Sequence, residues 1–311
     1  MTWLEGVSAT IGAAACVMAL AVLQTVAQST AVPPARPIIG GVQDCDDITA
    51  PVGAPVAGGR EPLVARCLAG ASLSYSEDGR VPLWVAERLG AHNRQVVVKR
   101  TKDSCPFKAD EALRTSSHAP AMPDDYVKSG FDRGHMAPAA DMTWSAQALS
   151  DSCLMSNIVP QVGIGMNRHI WADLESLVRD WACDFDDVVV ITGPIFEQQP
   201  PAEIGKVNKV QVPTAFFKIV YAVQEPRSVV AFVLENRKID KRESTAYDVL
   251  NQQRTSIQAI EQMTGLRFFP GLSPAVRTPL VKEIHPMLRR GAGCRKPAAV
   301  ASSVAALGFA P

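Results

Sequence analysis

Between residues 131 and 175 the chain concentrates arginine, histidine, asparagine and glutamate side chains. In Asp132-Arg133-Gly134-His135 an arginine can bind phosphate in a bidentate fork, and a glycine lets the backbone approach a substrate. The imidazole titrates near neutrality, so it can take a proton from water. Asn167 and Glu175 follow and offer the oxygen ligands that hard divalent cations prefer. Together these side-chain types predict phosphodiester chemistry.

The spacing of apolar residues places Glu175 on an amphipathic helix that starts near Asn167. Eight residues of α-helix span roughly 12 Å. The two side chains therefore cannot both bind one small ion directly unless Asn167 lies in or before the first turn. In the simplest arrangement the Asn167 carboxamide oxygen binds a hard cation, and Glu175 orients one of the waters on that cation. This predicts a water-rich magnesium site with a single protein ligand.

The motif Asp132-Arg133-Gly134-His135 is followed by two more ordered stretches, Ser156–Gln161 and Asn167–Glu175. In this order the three resemble the DNA/RNA non-specific endonuclease family, which includes secreted bacterial nucleases and mitochondrial endonuclease G. The resemblance extends from Leu63 to Phe269 and takes in four further stretches: 82–87, 125–126, 192–196 and 212–218. It implies an α+β fold of the ββα-metal type, with a central, mainly antiparallel sheet flanked by helices.

The resemblance also implies a role for each site residue. His135 matches the general base that activates the attacking water, and Arg133 matches a phosphate-stabilising arginine. Asn167 matches the sole direct protein ligand of the metal, which is Mg²⁺ with Mn²⁺ as the alternative, and Glu175 matches a residue that holds water on it. Asn157 matches a supporting asparagine near the site. The family usually has one more functional arginine upstream, and three residues compete for that place: Arg100, Lys108 and Arg114.

The predicted function is metal-dependent hydrolysis of DNA and RNA with little sequence preference. None of the predicted site groups reads a base, and contacts limited to sugar and phosphate carry no direct sequence information. The resemblance implies the same, with cleavage to 5′-phosphate ends. A formal net charge of zero argues against a protein that coats nucleic acid, yet allows a local cationic groove.

Two alternative functions are weighed against this one. A catalytically decayed nucleic-acid-binding or surface protein would keep the fold and lose a site residue, but His135, Asn167 and Glu175 are all present. A zinc hydrolase would need several close ligands, and in the sequence His135 and His169 lack a compact third partner. The order of the motifs therefore favours the nuclease.

The chain divides into four predicted parts. Residues 6 to 28 carry no charge, so residues 1–28 are expected to be a signal peptide or a membrane anchor. Prolines and paired glycines make residues 29–62 a predicted linker. Residues 63–290 form the predicted endonuclease domain, and residues 291–311 form a low-complexity tail. A homodimer and membrane attachment through the N-terminal segment are both compatible with this organisation.

The cysteines indicate the compartment. Seven cysteines, less Cys16 in the N-terminal segment, leave six, and none of these forms a CxxC pair. Such scattering fits disulfides in an oxidising compartment better than a zinc cage, and Cys45 with Cys67 is the pairing we expect. We therefore predict a secreted or periplasmic protein, with a membrane-anchored or mitochondrial protein as the alternatives.

Local patterns predict further elements of secondary structure. Runs rich in β-branched and apolar residues predict six strands: 68–75, 82–87, 95–100, 188–192, 215–223 and 229–234. The first two should form a hairpin around residues 77–80, and residues 105–126 should form a long surface loop. Helical spacing over residues 244–263 predicts one helix with Gly265 as its C-cap.

Overall fold

Six antiparallel strands form the central sheet of the computed structural model, which describes residues 45–58, 63–90, 96–115, 118–239 and 245–288. The strands in chain order are β1 (Val56–Ala57), β2 (Leu63–Leu68), β3 (Ala71–Ser76), β4 (Val81–Gly90), β5 (Phe131–His135), β6 (Ile158–Val162), β7 (Asp187–Ile195), β8 (Ala202–Ile204), β9 (Val210–Val212), β10 (Ala215–Ala222), β11 (Ser228–Glu235) and β12 (Leu266–Arg267). The helices are α1 (Cys45–Thr49), α2 (Ala146–Ser152), α3 (Ala172–Phe185), α4 (Ala246–Gln252), α5 (Ile257–Thr264) and α6 (Pro274–Lys282). The sheet has the spatial order β11-β10-β7-β4-β3-β2, which confirms a central antiparallel sheet.

The middle strands of the sheet are covered on both faces. All eight residues of β10 are buried, and alternate side chains of a strand point to opposite faces. On one face the ring of Phe216 lies 5.6 Å from that of Trp171. On the other face the ring of Phe217 lies 5.4 Å from that of Phe268. The continuous apolar runs in the sequence therefore predicted strands buried on both sides, as the structure has them.

Strands β5 and β6 and helix α3 form the ββα unit, and β6 and α3 contact strand β4 of this sheet. Strands β5 and β6 pair antiparallel, and the chain then enters a π-helical segment, Gly163–Trp171, that continues into α3. The backbone is non-helical at Ile164 and Gly165, so the helical path begins just before Asn167. The prediction of a helix that starts near Asn167 and carries Glu175 is confirmed. Strand β5 was not predicted from the sequence, because Gly134 and Pro138 are residue types typical of turns.

The predicted linker differs from the structure in its second part. Residues 45–58 include α1 and β1, and β1 pairs with β12 near the far end of the domain. Ile48 and Val52 have no exposed surface. Prolines and glycines interrupt regular elements, but they do not prevent a segment from packing when it carries apolar side chains that the core can bury. Residues 29–44 of that linker lie outside the described part of the chain.

Two strand predictions near the N-terminus need correction. Residues 68–75 are not one strand, because a turn at residues 69 and 70 separates β2 from β3, and only β3 forms the predicted hairpin with β4. Residues 96–100 form no strand. Val96 and Val97 are 73% and 68% exposed, so their β-branched side chains have no sheet face to pack against.

The predicted C-terminal helix is two helices. Arg254 bridges to Phe232 after α4 ends, and the Ser256 hydroxyl then caps α5 by accepting from the Ala259 N–H. Ser256 therefore marks the start of a second helix, which the spacing of apolar residues alone did not indicate. Gly265 has φ +70° and forms the predicted C-cap. Helix α6 follows and was not predicted.

The ends of the chain carry predictions that the structure does not test. The apolar segment at residues 1–28 and the tail at residues 291–311 lie outside the described residues. Across the residues that are described, no helix combines the length and the apolar character that a membrane crossing needs.

Candidate active site

Strand β5 directs the side chains of the Asp-Arg-Gly-His motif to two faces. Arg133 and His135 are two residues apart, and both contact Phe107: the guanidinium carbon lies 5.2 Å from the ring centroid, and the imidazole centroid lies 5.4 Å from it. Asp132 points to the other face. Gly134 passes against the Gln161 side chain, with which a Cβ at this position would collide. The glycine is therefore required for the pairing of β5 with β6.

His135 occupies a largely apolar corner. Its Nε2 lies 3.5 Å from Cys153 Sγ, and the ring is half-buried. Burial lowers the pKa of His135 to about 3, and the positive charge of Arg100 acts in the same direction. An imidazole in this setting stays neutral at physiological pH, which is the form that can accept a proton.

Asn157 supports the backbone around His135. Its Oδ1 accepts from the Ala137 N–H at 2.9 Å, and its Nδ2 donates to the carbonyls of Ala137 and Ser152 at 2.9 and 2.8 Å. The side chain has no exposed surface. All these contacts are to backbone, so Asn157 can position the turn after His135 but cannot touch a substrate in this arrangement.

Asp132 connects the motif to Asn167. The Asn167 Nδ2 donates to Asp132 Oδ2 at 3.0 Å, and the Arg168 Nε donates to the same oxygen at 2.7 Å. The Arg168 guanidinium beside Asp132 holds the pKa of that carboxyl below its usual range, although burial opposes the shift. Because the amide nitrogen is engaged, Asn167 keeps its Oδ1 for another partner. Spacing in the sequence indicated Asn167 but not the aspartate that orients it.

Glu175 is half-buried on α3 among other charges. Burial raises the pKa of Glu175 to about 7, and the Asp141 carboxylate acts in the same direction. The positive charges of Lys218, Arg179 and Arg100 oppose this shift. Arg179 donates to Asp141 at 3.0 Å, so these two groups partly neutralise each other. Glu175 is therefore poised to change its charge near neutral pH.

A buried lysine and glutamate complete this charged layer. Lys218 donates to Thr192 Oγ1 at 2.7 Å and its Nζ lies 4.9 Å from the centre of the Trp171 ring. Burial raises the pKa of Glu87 well above its usual range, and Glu87 Oε2 has no hydrogen-bond partner among the described residues. Both residues come from sequence stretches that carried the resemblance, but no pattern in the sequence indicated that they meet.

Among the three upstream candidates, Arg100 is the one whose charge acts on both His135 and Glu175. It is exposed, and its charge affects the pKa of both groups. Lys108 instead donates to Ser150 Oγ at 3.1 Å, and Arg114 pairs with Glu111 in an exposed ion pair. Arg100 is the last residue of the stretch 95–100 that was predicted as a strand, so the sequence offered no way to choose it.

Arg133 is held by contacts within the protein. One of its terminal nitrogens donates to the Pro123 carbonyl at 2.8 Å, and its Nε is buried without a hydrogen-bond partner in the described part of the chain. Its guanidinium therefore contacts protein in this structure, and a phosphate-stabilising role for Arg133 stays a prediction.

Comparison with known proteins gives the relationship directly. The model of the DNA/RNA non-specific endonuclease family matches residues 50–275, which include every residue of the site described above. The chain belongs to this family. The match begins upstream of Leu63, in agreement with the packing of residues 45–58 onto the fold.

Relatives of this endonuclease family member come from fungi and animals. It is 38% identical over 217 residues to a nuclease of Syncephalastrum racemosum, an alignment that covers 64% of this chain and 65% of that protein. It is 33% identical to the mitochondrial nuclease of Saccharomyces cerevisiae, over 68% of this chain and 67% of the relative. It is 32% identical to the mitochondrial endonuclease G of Bos taurus, over 71% and 77% of the two chains. The chain thus spans about two thirds of the length of the first two relatives.

A solved structure gives the same fold. The chain superposes on a protein from the crystal structure of the EndoG/EndoGI complex with a TM-score of 0.64 and 28% identity. The match covers 73% of this chain and 92% of the other. This likeness confirms the α+β, ββα-metal fold that the sequence motifs implied.

This family member carries several disulfides, and one of them lies beside His135. Cys45 pairs with Cys67, as predicted, and Cys105 pairs with Cys153. Cys183 is disulfide-bonded as well. The second bond brings two sulfur atoms beside His135. This pairing was not predicted from the sequence, because 48 residues separate the two cysteines. Cys105 and Cys153 are thus two close neighbours of His135, for which the sequence alone indicated no nearby metal ligand.

Proposed function

We propose that this endonuclease family member hydrolyses the phosphodiester bonds of DNA and RNA with little sequence preference, in a reaction that depends on a divalent metal. One observation carries the proposal: strand β5 holds a neutral His135 and, through Asp132, orients Asn167. A general base and an oxygen ligand thus depend on one short strand. The names of the relatives, which are nucleases, support the same reaction.

His135 acts as the general base in this proposal. Its Nε2 faces a sulfur atom of the Cys105–Cys153 disulfide, a weak hydrogen-bond acceptor, so Nδ1 is the nitrogen left to take the proton of the attacking water. Its low pKa keeps the ring neutral and available throughout the physiological range. Asn157 keeps the following turn in place and acts as a positioning residue.

The residues present fit a hard divalent cation. The Asn167 nitrogen donates to Asp132, its carboxamide oxygen has no hydrogen-bond partner among the described residues, and Glu175 adds a carboxylate that can hold water. Oxygen donors without sulfur at these two positions favour Mg²⁺, with Mn²⁺ as the alternative. When bound, the cation would stabilise negative charge on the phosphoryl and leaving oxygens.

Substrate contacts in this proposal come from charge rather than from base recognition. The exposed Arg100 lies near both His135 and Glu175, so it is the arginine best placed to contact a phosphate beside them. Phosphate contacts position a nucleic acid but carry no sequence information. We therefore assign DNA and RNA as substrates of one site.

Chelation gives the first test of this function. With plasmid DNA and with RNA as substrates, we expect the purified protein to cleave both in Mg²⁺ and to lose this activity in EDTA. Added Mg²⁺ should restore it, because the metal is bound through few protein ligands and exchanges with solvent. Unchanged turnover in chelator would rule out the metal role, and no cleavage under any condition would favour the catalytically decayed protein.

The pKa of Glu175 gives a second test. Below about pH 7 its carboxyl is protonated and neutral, so it attracts a cation less strongly than the carboxylate does. We expect the Mg²⁺ concentration for half-maximal cleavage to rise as the pH falls through about 7. His135 does not contribute to this change, since its pKa of about 3 keeps it neutral.

Glu175→Gln provides the matched control, because the amide keeps the size of the side chain and does not titrate. In this variant the Mg²⁺ requirement should be higher and should no longer change near pH 7. A dependence of the same steepness in wild type and variant would assign the titration to another group.

The compartment is proposed from two observations. The disulfides of the described residues favour an oxidising environment, in line with a secreted or periplasmic protein. The names of the yeast and bovine relatives instead support the mitochondrial alternative. Fractionation of cells, with N-terminal sequencing of the mature protein, separates these and tests membrane attachment. Light scattering of the purified protein tests the homodimer.

A further inference from the structure

Three potential metal ligands lie close together at His135. His135, Cys105 and Cys153 each offer one ligand atom, and these atoms all lie within 4.8 Å of one another. The two cysteines are buried, and Cys105, Cys153, Ala139 and Leu149 form a small apolar cluster of their own, with Phe107 against it. The only hydrogen-bonding contact of the His135 ring among the described residues is the one to Cys153 Sγ.

The three ligands suit zinc only when the Cys105–Cys153 disulfide is reduced. Bonds of about 2.3 Å to sulfur and about 2.0 Å to nitrogen put the ligand atoms of a tetrahedral zinc site roughly 3.5 Å apart. His135 Nε2 and Cys153 Sγ are 3.5 Å apart. Zinc binds thiolates, and the sulfurs of a disulfide are not thiolates, so the oxidised protein cannot form the site. Reduction frees both sulfurs and lets them move apart to the separation that ligands of one ion need.

We propose that reduction of the Cys105–Cys153 disulfide creates a Cys₂His site for Zn²⁺, and that occupation of this site switches off cleavage by removing His135 as a base. The inhibitory half of this inference rests on the proposed function, whereas the metal site itself does not. Three protein ligands leave the fourth position of the tetrahedron for water.

The chemistry balances with a dithiol as the reductant. The dithiol gives two electrons and two protons, its own sulfurs become a disulfide, and the protein S–S bond becomes two thiols. Zinc then binds both sulfurs as thiolates, and the two thiol protons pass to solvent. His135 contributes the lone pair of Nε2 and remains neutral.

Inhibition follows from the tautomer of the ring. In the oxidised protein Nε2 can carry the proton, which leaves the lone pair on Nδ1 for the attacking water. A metal on Nε2 forces the proton onto Nδ1, and this nitrogen can then only donate. Asn167 and Glu175 offer oxygen ligands, so the zinc site and the proposed magnesium site differ in their preferred metals.

Cobalt binding tests the site without reference to activity. Co²⁺ replaces Zn²⁺ in thiolate sites and gives a cobalt–thiolate charge-transfer absorption. After treatment of the full chain with a water-soluble phosphine and its removal, we expect one Co²⁺ to bind per chain with this absorption, and Zn²⁺ to displace it. The oxidised chain should show no such absorption. A reduced chain without it would overturn the inference.

Matched variants identify the ligands. Cys105→Ser/Cys153→Ser should lose the absorption, and Cys45→Ser/Cys67→Ser, which removes a disulfide between two other cysteines of the described residues, should keep it. If the first variant does not fold, His135→Ala serves instead, because it keeps both cysteines and lacks the third ligand. An absorption that persists unchanged in His135→Ala would place the cobalt elsewhere and overturn the proposed ligand set.

Cleavage assays then separate the two halves of the inference. We expect the oxidised chain to cleave plasmid DNA in Mg²⁺, and the reduced chain to lose cleavage when one equivalent of Zn²⁺ is added. A zinc-selective chelator should restore it. Full activity with zinc bound would overturn the inhibitory half. An oxidised chain that never cleaves, but gains the cobalt absorption on reduction, would instead refute the proposed nuclease function and leave the metal site standing.

Discussion

We expect His135→Ala to lower the rate of plasmid cleavage by roughly 10²- to 10⁴-fold, the contribution typical of a general base. The alanine removes the only imidazole beside Arg100 and the Cys105–Cys153 disulfide among the described residues. Water would then have to lose its proton to solvent. Binding of DNA should change little, because Arg100 and the other cationic groups remain.

The fold should survive this substitution. His135 is half-buried and its one hydrogen-bonding contact is to sulfur, so we expect a loss of about 1 to 2 kcal/mol of stability. Thermal unfolding by circular dichroism measures this loss. His285→Ala is the matched control, since His285 is also half-buried and its Nε2 contacts a backbone carbonyl, that of Leu280. A folded His135→Ala protein that cleaves as fast as His285→Ala would remove His135 from the mechanism.

The sequence predicted well those features that depend on local periodicity or on an ordered motif. The apolar runs of β7, β10 and β11 predicted strands because they are rich in Val, Ile and Phe and are as short as typical strands. The helix that carries Glu175 also follows from spacing alone. The identity of His135, Asn167 and Glu175 as candidates came from the order of motifs, and the structure gives each a distinct environment.

Features that depend on long-range packing were not predictable. The disulfide beside His135 joins residues 48 positions apart, and Arg100 reaches the site from a segment without regular structure. Asp132 had no predicted role of its own within the Asp-Arg-Gly-His motif, yet its carboxylate is the partner that orients Asn167. In each case the decisive contact is made by tertiary folding, and one sequence contains no periodic signal for such a contact.

Asn167→Asp should abolish most of the activity although a carboxylate is ordinarily a better ligand for Mg²⁺ than a carboxamide. The reason is the neighbour: Asn167 Nδ2 donates to Asp132 Oδ2 at 3.0 Å. The substitution replaces a donor by an acceptor and places two carboxylates in contact, so one must take a proton or turn away. We expect the Mg²⁺ requirement of this variant to rise by roughly 10- to 100-fold, the effect typical of a lost supporting partner.

The double variant Asn167→Asp/Asp132→Asn reverses this polarity. The amide introduced at position 132 can donate to the carboxylate introduced at position 167, and Arg168 keeps an acid close to its guanidinium. We therefore expect the double variant to recover much of the Mg²⁺ affinity that the single variant loses. Asp132→Asn alone should lose affinity, because one acceptor oxygen then remains for the N–H donors of Asn167 and Arg168. Titration of cleavage rate against Mg²⁺ for the four proteins gives the coupling between the two positions. Independent, additive losses in this cycle would mean that Asp132 does not orient Asn167 for the metal.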